Sequence, residues 1–163
     1  MVGARVDLGI LLLRLAKAMQ MQRLVVVERL EFGAFGRRVA EISDLPRHGG
    51  GPDSERAILA ESGKTSIIAS IKSHGTGRDG LQFLFSKQHV AQPPSSGDAW
   101  EQLMGRLHRE GQRADEVDTW VPRHTDEMKE SIDKAFADAR FIAEVMGTSQ
   151  KLLLATCDFE VEK

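Results

Sequence analysis

The sequence predicts an α/β domain built on a mostly parallel, doubly wound sheet. Short β-branched runs such as "RLVVVE" and "SIIASI" alternate with segments of helical periodicity. Strands separated by connections of helix length pair in parallel. Working residues in such folds sit on loops leaving the carboxyl ends of strands, which points to "SHGTGRDGLQ" (73–82) after "SIIASI" and to "WEQLMGRLHREGQ" (100–112). At 163 residues the chain is long enough for one domain with its own core, and 41% hydrophobic with 28% charged residues is ordinary for a globular protein.

The elements follow in order. "RVDLGILLLRLAKAMQ" sets Leu8, Leu11, Leu12, Leu15 and Met19 at helical spacing, a lead-in helix within 1–21. Arg14 and Lys17 interrupt its apolar stretch, which is too short to span a bilayer. With no secretory signal visible, a cytoplasmic location and no membrane partner are expected. "RLVVVE" suits a buried parallel strand, "FGAFGRRVAEIS" a helix, and "DLPRHGGG" a short strand running into a glycine turn. "PDSERAILAE" is a helix with Asp53 or Ser54 as N-cap. "SIIASIKS" is a strand and "LQFLFS" another.

"KQHVAQPPSSGD", rich in Pro, Ser and Gly, reads as the least ordered loop. "DAWEQLMGRLHREG" is a helix opened by Asp98 and stopped near Gly111. "EVDTWV" is a strand. "HTDEMKESIDKAFADARFIAEVM" is a long amphipathic helix, apolar at Met128, Ile132, Phe136, Ala139 and Val145, and "SQKLLLAT" packs back as a short helix. One domain over 22–155 with a tail at 156–163 accounts for the remainder.

Composition narrows the chemistry. A net charge of -2 carries no global sign of nucleic-acid binding, so any such surface is local. The single cysteine, Cys157, excludes an internal disulfide framework and a multi-cysteine zinc site, and reads as a small, part-buried apolar residue. His74 and His108 are isolated and make no metal site, Trp100 and Trp120 read as packing residues, and Arg37 and Arg38 as solvated charges.

"ILAESGKTSII" ends like a phosphate-binding P-loop, Gly63-Lys64-Thr65. That loop requires a glycine where Ile58 stands, and must follow a strand and open a helix. Here a helix precedes and a strand follows, so Lys64 is expected to be a surface charge.

Two other stretches carry chemistry. In "WEQLMGRLHREGQ", Gln102, Arg106 and Arg109 fall at i, i+4 and i+7, which on one continuous helix is a single face. Two guanidinium forks and an amide suit a polyanion such as a phosphate chain; alternatively the arginines pair with Glu101 and Glu110 on a solvated helix. Gly105 would let a neighbour approach closely. In "SHGTGRDGLQ", Gly75, Gly77 and Gly80 admit positive φ or a close phosphate. Asp79 suits a ribose hydroxyl, and Thr76 or Ser73 can donate to a phosphate.

"QLMGRLHREGQ" resembles motif VI of superfamily-two helicases, closest to the Q-x-x-G-R-x-x-R-x-G-Q form of SWI/SNF-like translocases and related phage helicases. "SHGTGRDGLQ" is similar to motif V of the same proteins, in the order they require. "RLVVVERLEFGAFGRRVAEI" resembles motif IV, more weakly. The resemblance covers residues 22–155 and implies a single RecA-like lobe, a three-layer α/β/α sandwich corresponding to lobe two of a two-lobe motor.

It implies Arg109 as the arginine finger toward the γ-phosphate, Arg106 as its companion and Gln102 as a sensor of the same group. Asp79, with Gly77 beside it, would touch the nucleotide ribose. Ser73, His74, Gly75 and Thr76 would grip the backbone of a nucleic acid, DNA rather than RNA. No matching P-loop or D-E-x-[HD] box is present in the sequence, so ATP and Mg²⁺ would be held by a lobe-one domain on another chain and the isolated chain would be inactive. Two alternatives stand beside this: a non-catalytic nucleic-acid-binding module with the same fold, and a nucleotide kinase built on Lys64.

Overall fold

The structure is a computed structural model that describes residues 24–27, 37, 40–41, 44–48, 56–58, 60, 66–70 and 80–159. Its elements are β1 (Leu24–Val27), β2 (Arg47–His48), β3 (Ile67–Ser70), α1 (Leu81–Leu84), β4 (Lys87–Val90), α2 (Gly97–Met104), β5 (Asp118–Trp120), α3 (Asp126–Met146) and α4 (Lys151–Leu154). Arg37, Ala40 and Glu41 are also helical, as are Arg56–Ile58 and Ala60. The strands form one sheet in the order β2-β3-β1-β4-β5, and every pairing is parallel. The expected α/β class and doubly wound sheet are what the chain adopts.

Burial on β3 shows that both faces of this sheet are covered. Ile67 and Ala69 belong to the main apolar cluster with Ile58, Leu81, Trp100, Leu103 and Ile132. Ile68 is equally buried but lies outside that cluster, as period-two alternation requires of the residue between them. Each fully buried isoleucine contributes about 1.5–3 kcal/mol. The connection β1→β2 runs the opposite way along the sheet from β2→β3, β3→β4 and β4→β5. Right-handed crossovers therefore put helical Arg37, Ala40 and Glu41 on one face and α1 and α2 on the other.

Two readings along the chain needed correction. "LQFLFS" is not a strand: Leu81–Leu84 is one helical turn, opened by Gly80 at φ 121. Gly80 N–H donates to Gln82 Oε1 at 2.9 Å, and Gln82 itself is buried. A six-residue apolar run is ambiguous between helix and strand; the glycine ahead of it decides. The strand comes next, at Lys87–Val90, inside the stretch read as the least ordered loop. His89 and Gln88 are buried there, and Trp100 Nε1 donates to the carbonyl of Pro94 at 2.8 Å. The prolines shape a buried crossing to α2 and do not loosen it.

The helices pack closely. Ser96 caps α2, and Gly97 N–H donates to Asp138 Oδ2 on α3 at 2.8 Å. A Cβ on Gly97 would stand 2.7 Å from the backbone N of Ala139, so only glycine permits this crossing. Thr125 caps α3 through Met128 N–H, and Gly147 ends it in the left-handed region. Glu101 on α2 binds the start of α4 twice, through the Lys151 N–H at 2.6 Å and through Lys151 Nζ. It is thus committed to α4. Among the described residues no helix is long and apolar enough to cross a membrane.

The Gly97 contact makes a direct prediction. Gly97→Ala should lower the unfolding free energy by about 1–3 kcal/mol, the usual penalty for overpacking, because the atoms it meets are backbone. Urea denaturation measures it, and an unchanged midpoint would contradict the contact.

Candidate functional site

The helix that carries the arginines is shorter than expected. α2 stops at Met104, with Gly105 as its C-cap. Beyond it one helical bond remains, His108 N to Met104 O at 2.9 Å, among tighter ones: Arg106 N to Leu103 O at 3.3 Å, Leu107 N to Met104 O at 3.2 Å and Arg109 N to Leu107 O at 3.1 Å. These i→i+3 and shorter steps abandon the helical period. Gln102, Arg106 and Arg109 consequently do not share a face.

Gln102 is exposed on α2, its amide donating to Asp98 Oδ2 at 2.9 Å one turn back. Arg106 turns inward, 3% exposed. Arg109 is exposed on the turn. Nor does anything from another element approach Gly105 closely: the nearest such atom is Lys151 Cε, 3.9 Å from where its Cβ would stand.

Burial pulls the Arg106 guanidinium down from its ordinary range to about 10, because water is removed from the charged form. It still carries its charge at neutral pH. Cys157 moves the other way, pushed up first by burial and then by Asp158, with Arg123 opposing. At neutral pH it is a protonated thiol and a poor nucleophile.

Gln112 closes the turn, a residue for which sequence reasoning assigned no role. Its Nε2 donates to Phe85 O at 3.0 Å and to Leu107 O at 3.1 Å. Its Oε1 accepts from Arg113 N–H at 2.8 Å and Ala114 N–H at 3.0 Å. Both donors and both acceptor positions of the amide are used. Gly111, the residue before it, has φ 88, and a Cβ there would stand 2.7 Å from Phe83 Cε1. A glycine directly before a glutamine at the end of a helical pattern was the available signal.

These contacts locate the arginine turn. Phe85 lies two residues before β4, so the turn sits near the amino end of that strand, whereas the sequence reading put the stretch 100–112 at the carboxyl ends. The reason is geometric: a helix following a parallel strand runs back along it, and α2 begins near the carboxyl edge and ends at the amino edge. The turn thereby meets α1, which begins inside the glycine-rich stretch, and Phe85 just beyond that stretch. Phe83 lies over Gly111 and Phe85 accepts from Gln112.

Ser73, His74, Gly75, Thr76, Gly77 and Asp79 lie outside the described residues, as do Gly63–Thr65 of the P-loop-like tail. Helical Arg56–Ile58 and strand Ile67–Ser70 flank that tail in the helix-then-strand order expected. Among the described residues no three His, Cys, Asp or Glu side chains gather to hold a metal ion.

No family model matches the chain, and no curated protein does. Among solved structures, the chain is similar to the C-terminal part of the Fun30 ATPase domain, with a TM-score of 0.57 at 17% identity. The match covers 78% of this chain and 44% of that one, so this chain spans less than half the length of the structure it matches. At that identity the likeness is one of fold, an α/β domain on a parallel sheet, which is the fold class expected from the sequence.

Two predictions follow from the turn. Burial disfavours the charged form of Arg106, so from about pH 10 upward the native state releases a proton that the unfolded chain keeps. In that range the parent gains stability on Arg106→Met as pH rises. Paired melts across that window read the trend; a gap independent of pH would contradict it. For Gly111→Ala the left-handed backbone costs about 1–2 kcal/mol whatever the neighbouring ring does. Adding Phe83→Ala should therefore recover only part of the loss, and full recovery in chemical denaturation would show the ring alone was responsible.

Proposed function

We propose that this chain supplies the arginine-bearing lobe of a two-lobe, nucleic-acid-stimulated ATPase of helicase or translocase type. The observation that supports this most is the junction between the two motif-like stretches. Gln112 and Gly111 of the arginine turn lie against Phe85 and Phe83, the residues just past the glycine-rich stretch. Residues distant in sequence are joined at one edge of a fold similar to an ATPase lobe.

In this reading Arg109, exposed on the clamped turn, reaches the γ-phosphate of ATP held by a lobe-one domain, on another polypeptide or elsewhere in a longer one. Its charge offsets what develops on the phosphoryl oxygens in the transition state. Arg106 works from beneath as a buried companion charge, its field less screened than that of a surface group. Gln102 senses the same phosphate by exchanging its bond to Asp98. Asp79, with Gly77, contacts the ribose. Ser73, His74, Gly75 and Thr76 hold the backbone of a nucleic acid, DNA in preference to RNA. Mg²⁺ belongs to lobe one, which also seats the triphosphate. Binding through phosphates alone is tolerant of sequence and sensitive to salt.

The experiment mixes this chain with a lobe-one polypeptide carrying a P-loop and measures DNA-stimulated ATP hydrolysis. Each component alone should be inactive and the mixture active, with Arg109→Ala lowering turnover by about 10³-fold or more. Restored hydrolysis that ignores Arg109 would refute the finger. Salt-dependent DNA binding with no restored hydrolysis would favour the non-catalytic module.

A further inference from the structure

Between α2, β5, α3 and the segment around α4 lies a cavity of about 580 Å³, which the proposed ATPase role does not use. Small-molecule sites commonly occupy about 300–1,000 Å³. Its walls are largely apolar, formed by Trp100, Met104, Ile132, Phe136 and Leu152. Trp100 and Phe136 offer ring surfaces, and Trp100 is already satisfied through Pro94 O.

Among the described residues that line it, Gln88 is the buried polar one. Gln88, fully buried, lines the cavity from β4 beside Thr119 of β5. The two residues are paired across the strands, and Gln88 Nε2 donates to Thr119 Oγ1 at 2.9 Å. Gln88 Oε1 is buried and accepts no hydrogen bond from the protein. Leaving a buried acceptor unmet costs about 1–3 kcal/mol, a cost that an N–H brought in by a ligand removes.

The rim has one sign. Asp115, Glu116 and Asp158 line the cavity as exposed carboxylates. Lys151 is the basic residue among those that line it, and its ammonium is bound to Glu101. Such a rim attracts cations and repels phosphates.

We propose that this cavity is a binding site for a small, flat, aromatic cation that donates an N–H to Gln88 Oε1 and turns its charge toward Asp115 and Glu116. The apolar walls take the ring, the buried amide orients it and the rim selects its charge. A nucleotide, with its phosphates, is the wrong class of ligand here.

The test uses the full chain and benzamidine, a flat cation with N–H donors, against benzoate, which has the same shape and the opposite charge. Affinity is measured by NMR titration. The second readout is alkylation of Cys157, the single cysteine of the chain and part of the cavity lining, by iodoacetamide at alkaline pH. Benzamidine should bind at least about tenfold tighter than benzoate, the ratio expected for about 1.4 kcal/mol, and should protect Cys157.

Gln88→Met keeps the volume and removes the acceptor, and should weaken benzamidine about tenfold. Because Gln88 is buried, a second variant guards against misfolding: Asp115→Asn with Glu116→Gln, both exposed, should narrow the gap between the two probes. Equal binding of benzamidine and benzoate overturns the proposal. So does affinity unchanged in both variants, an alkylation rate indifferent to saturating benzamidine, or no binding at all.

Discussion

The amide of Gln112 is the constraint on which the candidate site depends. It satisfies the carbonyls of Phe85 and Leu107 and the N–H groups of Arg113 and Ala114. One of those carbonyls, Phe85 O, belongs to a different element, so the turn is fastened to the sheet and not only to itself. Without it, the chain beyond Gly105 has two options: continue the helix, or wander. With it, α2 must stop at Met104, and the residues that follow take whatever orientation the tight bonds impose. Arg106 goes in and Arg109 stays out because of that geometry.

Much of the fold was legible because parallel sheets leave a coarse signature. The β-branched runs at 24–27 and 67–70, the acidic amphipathic pattern of 126–146 and the short apolar return at 151–154 all became the elements expected. Two failures share a cause. In "LQFLFSKQHV" the apolar density lies in the first half and the polar residues in the second, so a reading based on hydrophobicity puts the strand first. The chain does the opposite, since Gly80 at positive φ starts a helical turn. Gln88 and His89 are then tolerated within a buried strand, with Thr119 holding the Gln88 amide. A cross-strand partner thirty-one residues away is invisible to any local pattern.

The candidate site was legible as residue types but not as an arrangement. The i, i+4, i+7 argument assumed that a helix runs through Gly105, and glycine is the residue least able to guarantee that. Spacing proposes a face only while the helix lasts. What made the Gly-Arg and Gly-Gln steps identifiable as a unit was the resemblance, and the structure supplies a physical reason for their order. The first glycine is the C-cap, and the second tolerates φ 88 beneath Phe83. The following glutamine ties the turn down. Burying Arg106 is costly to stability, and a cost of that kind beside a clamped turn is a common mark of a working site.

The same segment bounds both places argued to bind something. His108, next to Arg109, lines the cavity together with Met104 and Asp115–Val117, while Arg109 itself is exposed. One strip of chain therefore presents an arginine in one direction and a cavity wall in the other. Contiguity alone is not coupling. A cation in the cavity can shift the arginine only by the difference in its affinity for two arrangements of that strip, and any such effect acts equally from the nucleotide side back to the cavity. The bonds of Gln112 hold the strip at its far end, so they set how much rearrangement either ligand could bring about.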